Sequence, residues 1–179
     1  MESTHFDLQL ETLQNDVVRL IPVQSDDFER LYKVASDPLI WEQHPDKERY
    51  KKERFQLFFD SALQSKGAFL VFDNASNKLI GSTRFYEYSP EKKSIAIGFT
   101  FIAREYWGGA HNSAMKKLLL NYAFQFVSSV VFHIGALNIR SQKAILKLGA
   151  TKIGETNSEL NGIESINFEF EIKREDWEK

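Results

Sequence analysis

The sequence predicts a mixed α/β fold with a central, mostly antiparallel sheet and about four helices. Three observations lead there. Short apolar runs rich in β-branched and aromatic residues, Ala68–Phe72, Ser94–Ile102 and Val130–Ile134, have strand length and strand composition. Met115, Leu118, Leu119, Tyr122, Ala123, Phe126 and Val127 recur at i, i+3, i+4, i+7, i+8, i+11 and i+12, which is one face of a helix. Turn-forming segments at Asp73–Asn77, Pro90–Lys93 and Asn161–Gly162 separate neighbouring runs by hairpin distances, so the strands follow one another as a meander.

In order along the chain, residues 17–22 alternate as a strand, and Ser25 with Asp26 and Asp27 offers a helix start, the hydroxyl capping free N–H groups and the carboxylates facing the positive end of the dipole. That helix turns Phe28, Leu31, Tyr32 and Ala35 inward and ends at Asp37-Pro38. Lys47–Lys66 reads as a second helix stopped by Gly67. Ala68–Phe72 and Lys78–Tyr88 form a hairpin, and Ser94–Ile102 adds a third strand. After the helix that contains Met115 comes Val130–Ile134, then a shorter helix over Asn138–Leu148 closed by Gly149. Lys152–Glu155 and Ile163–Lys173 complete a last hairpin about Asn161–Gly162.

Length and composition narrow the class. The 179 residues are expected to form one domain, with residues 1–15 as a loosely ordered N-terminal extension. A formal net charge of −2 gives no basic footprint, which argues against nucleic acid as a partner. The chain has no cysteine, so disulfides, thiolate metal sites and acyl-cysteine chemistry are excluded together, and no metal is expected. No apolar run approaches the roughly 18 residues of a membrane span, and no signal pattern opens the chain, so the expectation is a cytoplasmic protein without a membrane partner, monomeric or homodimeric.

The stretch Trp107-Gly108-Gly109-Ala110-His111-Asn112-Ser113 lies between the Ser94–Ile102 run and the amphipathic helix. A loop there points at a helix N-terminus, whose unpaired N–H groups and positive dipole end attract a phosphate. Paired glycines let the backbone approach such a ligand. Neither a Walker loop nor a dinucleotide fingerprint occurs in the chain.

About 25 residues later stands Asn138-Ile-Arg140-Ser141-Gln-Lys-Ala-Ile-Leu-Lys-Leu148-Gly149-Ala150. Together and in this order the two segments resemble the signature motifs of the GNAT superfamily of N-acetyltransferases, in its RimJ/RimL-like, ribosomal-protein-acetylating branch. In that family a [RQ]-x-x-G-x-[GA] loop cradles the pyrophosphate of acetyl-CoA; here Trp107 stands in the leading position. The resemblance runs from Val18 to about Phe170. It implies acetyl-CoA as co-substrate, held between splayed central strands, with Phe101, Ile102, Trp107, Gly108, Gly109, Ala110, His111, Asn112, Ser113 and Asn138 as binding residues.

Acetyl transfer to an amine needs a neutral nucleophile, a stabilised oxyanion and a proton for the leaving thiolate. The resemblance gives Asn138 a role at the pantetheine arm or an ordered water, and Ser141 the role of proton donor to sulfur. Read as residues alone, Asn138 is a helix N-cap and Ser141 an exposed helix serine. The acceptor site of the family follows the first helix, which makes Trp41 and His44 substrate candidates, with Arg84 and Tyr86 on the hairpin beside them. The general base has no clear position: many members have Glu where this chain has Ala114, leaving Glu42, His44, Glu87 and His111, while His133 on its strand reads as core or surface. An α-amine loses its proton more readily than a lysine by roughly 3 kcal/mol at neutral pH. The acceptor expected is therefore the N-terminal amine of a protein or peptide, attacked directly in a ternary complex. The alternatives are an antibiotic or polyamine N-acetyltransferase and a non-catalytic CoA-binding or regulatory domain.

Overall fold

The run from Ala68 to Asp73 is buried at every position, which a strand sustains only where both faces of its sheet are covered. The structure, a computed structural model, describes residues 6–9, 12–160 and 162–179. Its strands are β1 (Leu13–Gln14), β2 (Val18–Pro22), β3 (Ala68–Asp73), β4 (Lys78–Ser89), β5 (Ser94–Ile102), β6 (Ser129–Gly135), β7 (Thr151–Leu160) and β8 (Ile163–Lys173). They form one sheet in the order β1-β2-β3-β4-β5-β6-β8-β7, antiparallel except between β5 and β6. The helices are α1 (Phe28–Ala35), α2 (Lys52–Ser65), α3 (His111–Ala123), α4 (Ile139–Lys147) and a last turn, α5 (Arg174–Trp177).

Two apolar layers hold these elements to the sheet. Leu31 of α1 and Phe55 and Phe59 of α2 pack with Leu70 and Phe101 on one face. On the other, Met115 and Leu119 of α3 and Ile145 of α4 pack with Leu20, Phe85 and Phe132. Phe6, within the segment read from sequence as an extension, is buried here and stacks on Phe126 at 4.8 Å.

The mixed α/β architecture and the four longer helices agree with the sequence, whereas several boundaries shift for local reasons. The cap before α1 comes from Asp27, whose carboxylate accepts the N–H of Gln24 at 2.7 Å, and the Ser25 hydroxyl has no part in it. α2 begins at Lys52 and not Lys47, because residues 46–51 turn so as to bury Asp46 and Arg49. Its left-handed closing residue is Lys66, since Gly67 already continues β3 by accepting the N–H of Phe85 at 2.9 Å. β7 extends to Leu160, well past the predicted Glu155. Asn161 of the predicted turn lies outside the described residues.

The feature that positions the site is an early parting of two strands. β5 and β6 pair through only three residue pairs, Ser94–Ser129, Ile95–Val130 and Ala96–Val131. Beyond them β5 bulges: Phe99 and Thr100 together face Thr83 of β4, and Phe99 takes a positive φ of 50°. A left-handed conformation in a bulky residue costs on the order of 1–2 kcal/mol and persists only where the surroundings hold it. Tyr86 at 5.0 Å, ring centre to ring centre, and the Arg84 guanidinium at 3.9 Å from the ring do so here. The bulge swings the rest of β5 away from β6.

The end of β6 fixes the loop that follows α1. Gly135 lies against Pro45, and a Cβ on Gly135 would stand 2.8 Å from the Pro45 ring, closer than van der Waals contact allows. Gly135→Ala is therefore expected to lower stability by about 1–3 kcal/mol through forced displacement of the 44–46 loop, measurable as a drop in thermal midpoint. An unchanged midpoint would show that this contact yields freely.

Candidate active site

The parting of β5 and β6 opens a cavity of about 540 Å³, within the range of small-molecule sites. Three groups of residues wall it. Trp107, Gly108, Asn112 and Lys116 come from the loop and first turns of α3; Asn138, Arg140 and Ser141 from the start of α4; Trp41, His44 and Arg49 from the segment between α1 and α2. The sheet adds Phe101, Ile102, Tyr86 and His133, among others. Most site residues expected from sequence thus meet in one place. Gly109, Ala110, His111 and Ser113 belong to the same loop and first turn but do not face the cavity.

The loop has the form an anion needs. α3 starts at His111 with no side-chain cap, so its first N–H groups stay available. Gly108 carries φ +73° with open space where a Cβ would stand, while Ala110 has helical angles (φ −80°, ψ −13°) and needs no glycine. His111 turns its imidazole back to the sheet, Nε2 lying 2.9 Å from Asp73 Oδ1, and so ties the loop to β3. The Ser76 hydroxyl and then His111 hold the Asp73 carboxyl down to about 2. Where the family has a leading Arg or Gln, Trp107 donates its indole N–H to the Ile102 carbonyl at 2.9 Å and carries the Arg140 guanidinium on its face at 3.6 Å. A positive charge is thereby restored beside the loop from α4. These residues fit a CoA pyrophosphate at the helix end and a pantetheine arm along the unpaired edge of β5.

The start of α4 is capped by its own side chain and faces the cavity. Asn138 is the N-cap, its Oδ1 accepting the Ser141 N–H at 3.3 Å, and its Nδ2 makes no hydrogen bond with the described residues. Ser141 lines the cavity.

Two substrate candidates change role. Arg84 does not line the cavity: it is buried beneath α2, donating to Ser61 Oγ at 3.0 Å and the Phe58 carbonyl at 3.3 Å, and its ring contact supports the Phe99 bulge. His44 does line it, yet it is unsuited to proton transfer. Its Nδ1 accepts the Asp46 N–H at 2.9 Å and its Nε2 faces Arg49 Nη1 at 3.3 Å. Burial, then the Arg49 charge, push its pKa down to about 3, so it stays neutral. Trp41 is a wall residue with its indole N–H given to the Ala35 carbonyl at 2.8 Å.

Three further side chains of the cavity escaped the sequence reading. His133, read there as core or surface, reaches across the gap: Nδ1 lies 2.8 Å from the Tyr86 hydroxyl, and Nε2 lies 3.5 Å from Glu169 Oε2. Burial first, then the nearby Glu87 charge, raise the Tyr86 pKa, so the phenol keeps its proton and donates to Nδ1 in the tautomer that carries the imidazole proton on Nε2, toward Glu169. Arg49 is 3 % exposed and stacks over Trp41 and Phe58. Lys116 is buried in the cleft between α3 and the sheet, bonded to Thr100 Oγ1 at 2.8 Å with no carboxylate beside it among the described residues. Burial alone lowers its pKa to about 7. Only the period of α3 could have signalled this position, since Lys116 falls next to Met115 and three residues before Leu119 on the packed side.

A sheet parted at its centre, with a helix N-terminus at one end of the gap and the Tyr86–His133–Glu169 contacts at the other, is the frame of an acyl-CoA-dependent transferase. The Acetyltransferase (GNAT) domain model matches residues 18–151, and the chain belongs to that family. Solved structures share the fold. A GCN5-related N-acetyltransferase from Brucella melitensis is 18% identical with a TM-score of 0.81, over 93% of this chain and 80% of that one. A spermidine N-acetyltransferase from Vibrio cholerae, in complex with CoA and spermine, is 16% identical with a TM-score of 0.70, over 92% and 100%. A protein described as a ribosomal-protein-serine acetyltransferase, also from Vibrio cholerae, is 15% identical with a TM-score of 0.76, over 90% and 97%. No curated protein matches the chain. Among the described residues no helix is long and apolar enough to cross a membrane, and no cluster of ligating side chains is placed to hold a metal.

Two outcomes are expected. Gly108→Ala should weaken acetyl-CoA binding by about tenfold through strain at φ +73°, whereas Gly109→Ala should leave it within about twofold, by calorimetry. Lys116 binds its proton more weakly folded than unfolded, so its presence costs stability below pH 7, and the cost fades as pH rises toward 10.5. Lys116→Met should accordingly be more stable by about 1–4 kcal/mol near pH 7, with the gain vanishing toward pH 10 in denaturant titrations. A gain that grew with pH would contradict the assignment.

Proposed function

We propose that the protein transfers an acetyl group from acetyl-CoA to the α-amine of a peptide, protein or amino acid by direct attack in a ternary complex. The observation that supports this most is the Tyr86–His133–Glu169 line at the edge of the cavity. Acetyl-CoA supplies an activated thioester carbonyl, and the protein's part is to orient it and move protons. As the amine attacks, its proton passes to the Tyr86 oxygen, the Tyr86 proton to His133 Nδ1, and the Nε2 proton toward Glu169. One proton enters the line and one leaves, so Tyr86 ends as a neutral phenol. Histidine is the side chain whose ordinary titration suits such a relay near neutral pH. An α-amine, already partly neutral at that pH, asks less of it than a lysine or polyamine ammonium. On the other wall Ser141 gives its hydroxyl proton to the departing sulfur and takes one back from solvent, while Glu169 releases the amine's proton to solvent, and Asn138 holds the arm beside the sulfur. The relay also counts against the binding-only reading, which has no use for a half-buried Tyr–His pair facing the cavity.

Tyr86→Phe keeps the ring that supports Phe99 and removes the hydroxyl. It should lower kcat by about tenfold to a thousandfold with the acetyl-CoA dissociation constant unchanged, as should Ser141→Ala. Thiol release measured with acetyl-CoA and a set of peptides and amino acids tests both. Wild-type turnover by Tyr86→Phe would remove the relay from the mechanism.

A further inference from the structure

The side of the cavity formed by α2 and the segment before it has an unusual charge distribution. Arg49 is buried, its plane fixed between Trp41 and Phe58 with its central carbon 5.3 and 5.0 Å from their ring centres. Its donors are poorly used. Nε has no hydrogen-bond partner and stands 3.6 Å from Asp46 Oδ2; Nη1 meets only His44 Nε2 at 3.3 Å; Nη2 bonds to none of the described residues. Asp46 is also shared with Arg54, whose Nε lies 3.6 Å from its Oδ1. Arg84 adds a third guanidinium close enough to repel Arg49. His44 cannot offset this charge because it is neutral. The carboxylates that line the cavity, Glu87 and Glu159, are both exposed.

A guanidinium held rigid, dry and under-bonded is costly to bury unless a partner arrives. Its planar fork fits a carboxylate, two parallel N–H donors to two oxygens. Phe58 touches both Arg49 and Phe99, and Phe99 touches Tyr86, so one aromatic floor runs from the guanidinium to the proton relay. We infer that the acceptor amine carries a carboxylate, which Arg49 binds while Tyr86 receives the amine. The inference rests on the acetyl transfer proposed above and specifies its substrate class. A free amino acid and a peptide with an acidic residue near its N-terminus share this chemistry. A polyamine, which brings only positive charge, is disfavoured by the same wall.

The test is thiol release by the full chain with acetyl-CoA and matched acceptors: glutamate and aspartate against their diamides, which keep no carboxylate, a Ser-Glu-Ala-Ala peptide against Ser-Gln-Ala-Ala with both C-termini amidated, and spermidine. Wild type should favour the carboxylate member of the preferred pair by at least about tenfold in kcat/KM. Arg49→Gln should reduce that preference to within about twofold, and Arg49→Lys should keep part of it. A preference is a ratio, so it survives partial misfolding of a variant. A preference for the free amino acids identifies one source, and for the peptide the other. Equal use of the amides, better use of spermidine, or an undiminished preference in Arg49→Gln overturns the inference. If no acceptor is turned over, the transfer reading fails by itself, and calorimetry with N-acetylglutamate and CoA decides the site: binding by wild type but not by Arg49→Gln supports it, and binding by neither overturns it.

Discussion

A strand that leaves its neighbour exposes a row of backbone donors and acceptors, and everything this protein does with a thioester depends on that exposure being stable. The departure is made by one residue in an unfavourable conformation, Phe99, gripped by Tyr86 and Arg84. Tyr86 also meets His133 Nδ1 through its hydroxyl. In the proposed transfer, structural support of the cleft and movement of the proton are joined in this one side chain. Arg84, which never touches the cavity, serves the site by holding the bulge open.

Burial of positive charge is the second organising feature. Arg49, Arg84 and Lys116 are all withdrawn from water, with Asp46 the buried carboxylate beside Arg49 and none beside Lys116 among the described residues. An interior chosen for stability alone would not carry this imbalance. The cations are divided between the faces of the sheet: Arg49 and Arg84 lie with the α2 side and Lys116 with α3. Both layers that pack on the sheet therefore hold a buried cation close to the cavity. The Lys116 pKa near 7 further means that the α3 side changes charge within the range in which cells operate.

Much of the frame was readable in the sequence because it rests on periodicity and turn chemistry. The helix after Trp107 and the runs at Ala68, Ser94 and Val130 occur where their patterns place them. The loop and the Asn138–Ser141 pair were readable for a different reason: their order and spacing match a family, and a family model covers them. What escaped is tertiary. His133 alternates along β6 like any strand residue, and its meeting with Tyr86 depends on how far β5 has swung aside, which no local pattern encodes. Arg84 is a substrate candidate from its place on the hairpin alone; the Phe99 bulge and the packing of α2 bury it. β7 ran longer than expected because its polar residues pair with polar ones across the hairpin, as Ser158 does with Ser165, and such a strand carries no apolar alternation.

The three-pair junction between β5 and β6 has a mechanical side. It divides the sheet into a five-stranded plate, β1 to β5, and a three-stranded plate, β6 to β8, each with its own continuous hydrogen-bond ladder. A small rotation of one plate about this short seam widens or narrows the cleft while breaking no ladder within either plate. The resistance to such a rotation comes from the apolar layer under α3 and α4, which spans both plates through Phe85 and Phe132. Dispersion contacts there are many and individually weak, so they yield gradually where hydrogen bonds would snap. The enzyme therefore carries at the centre of its sheet a joint of few backbone pairs and much packing.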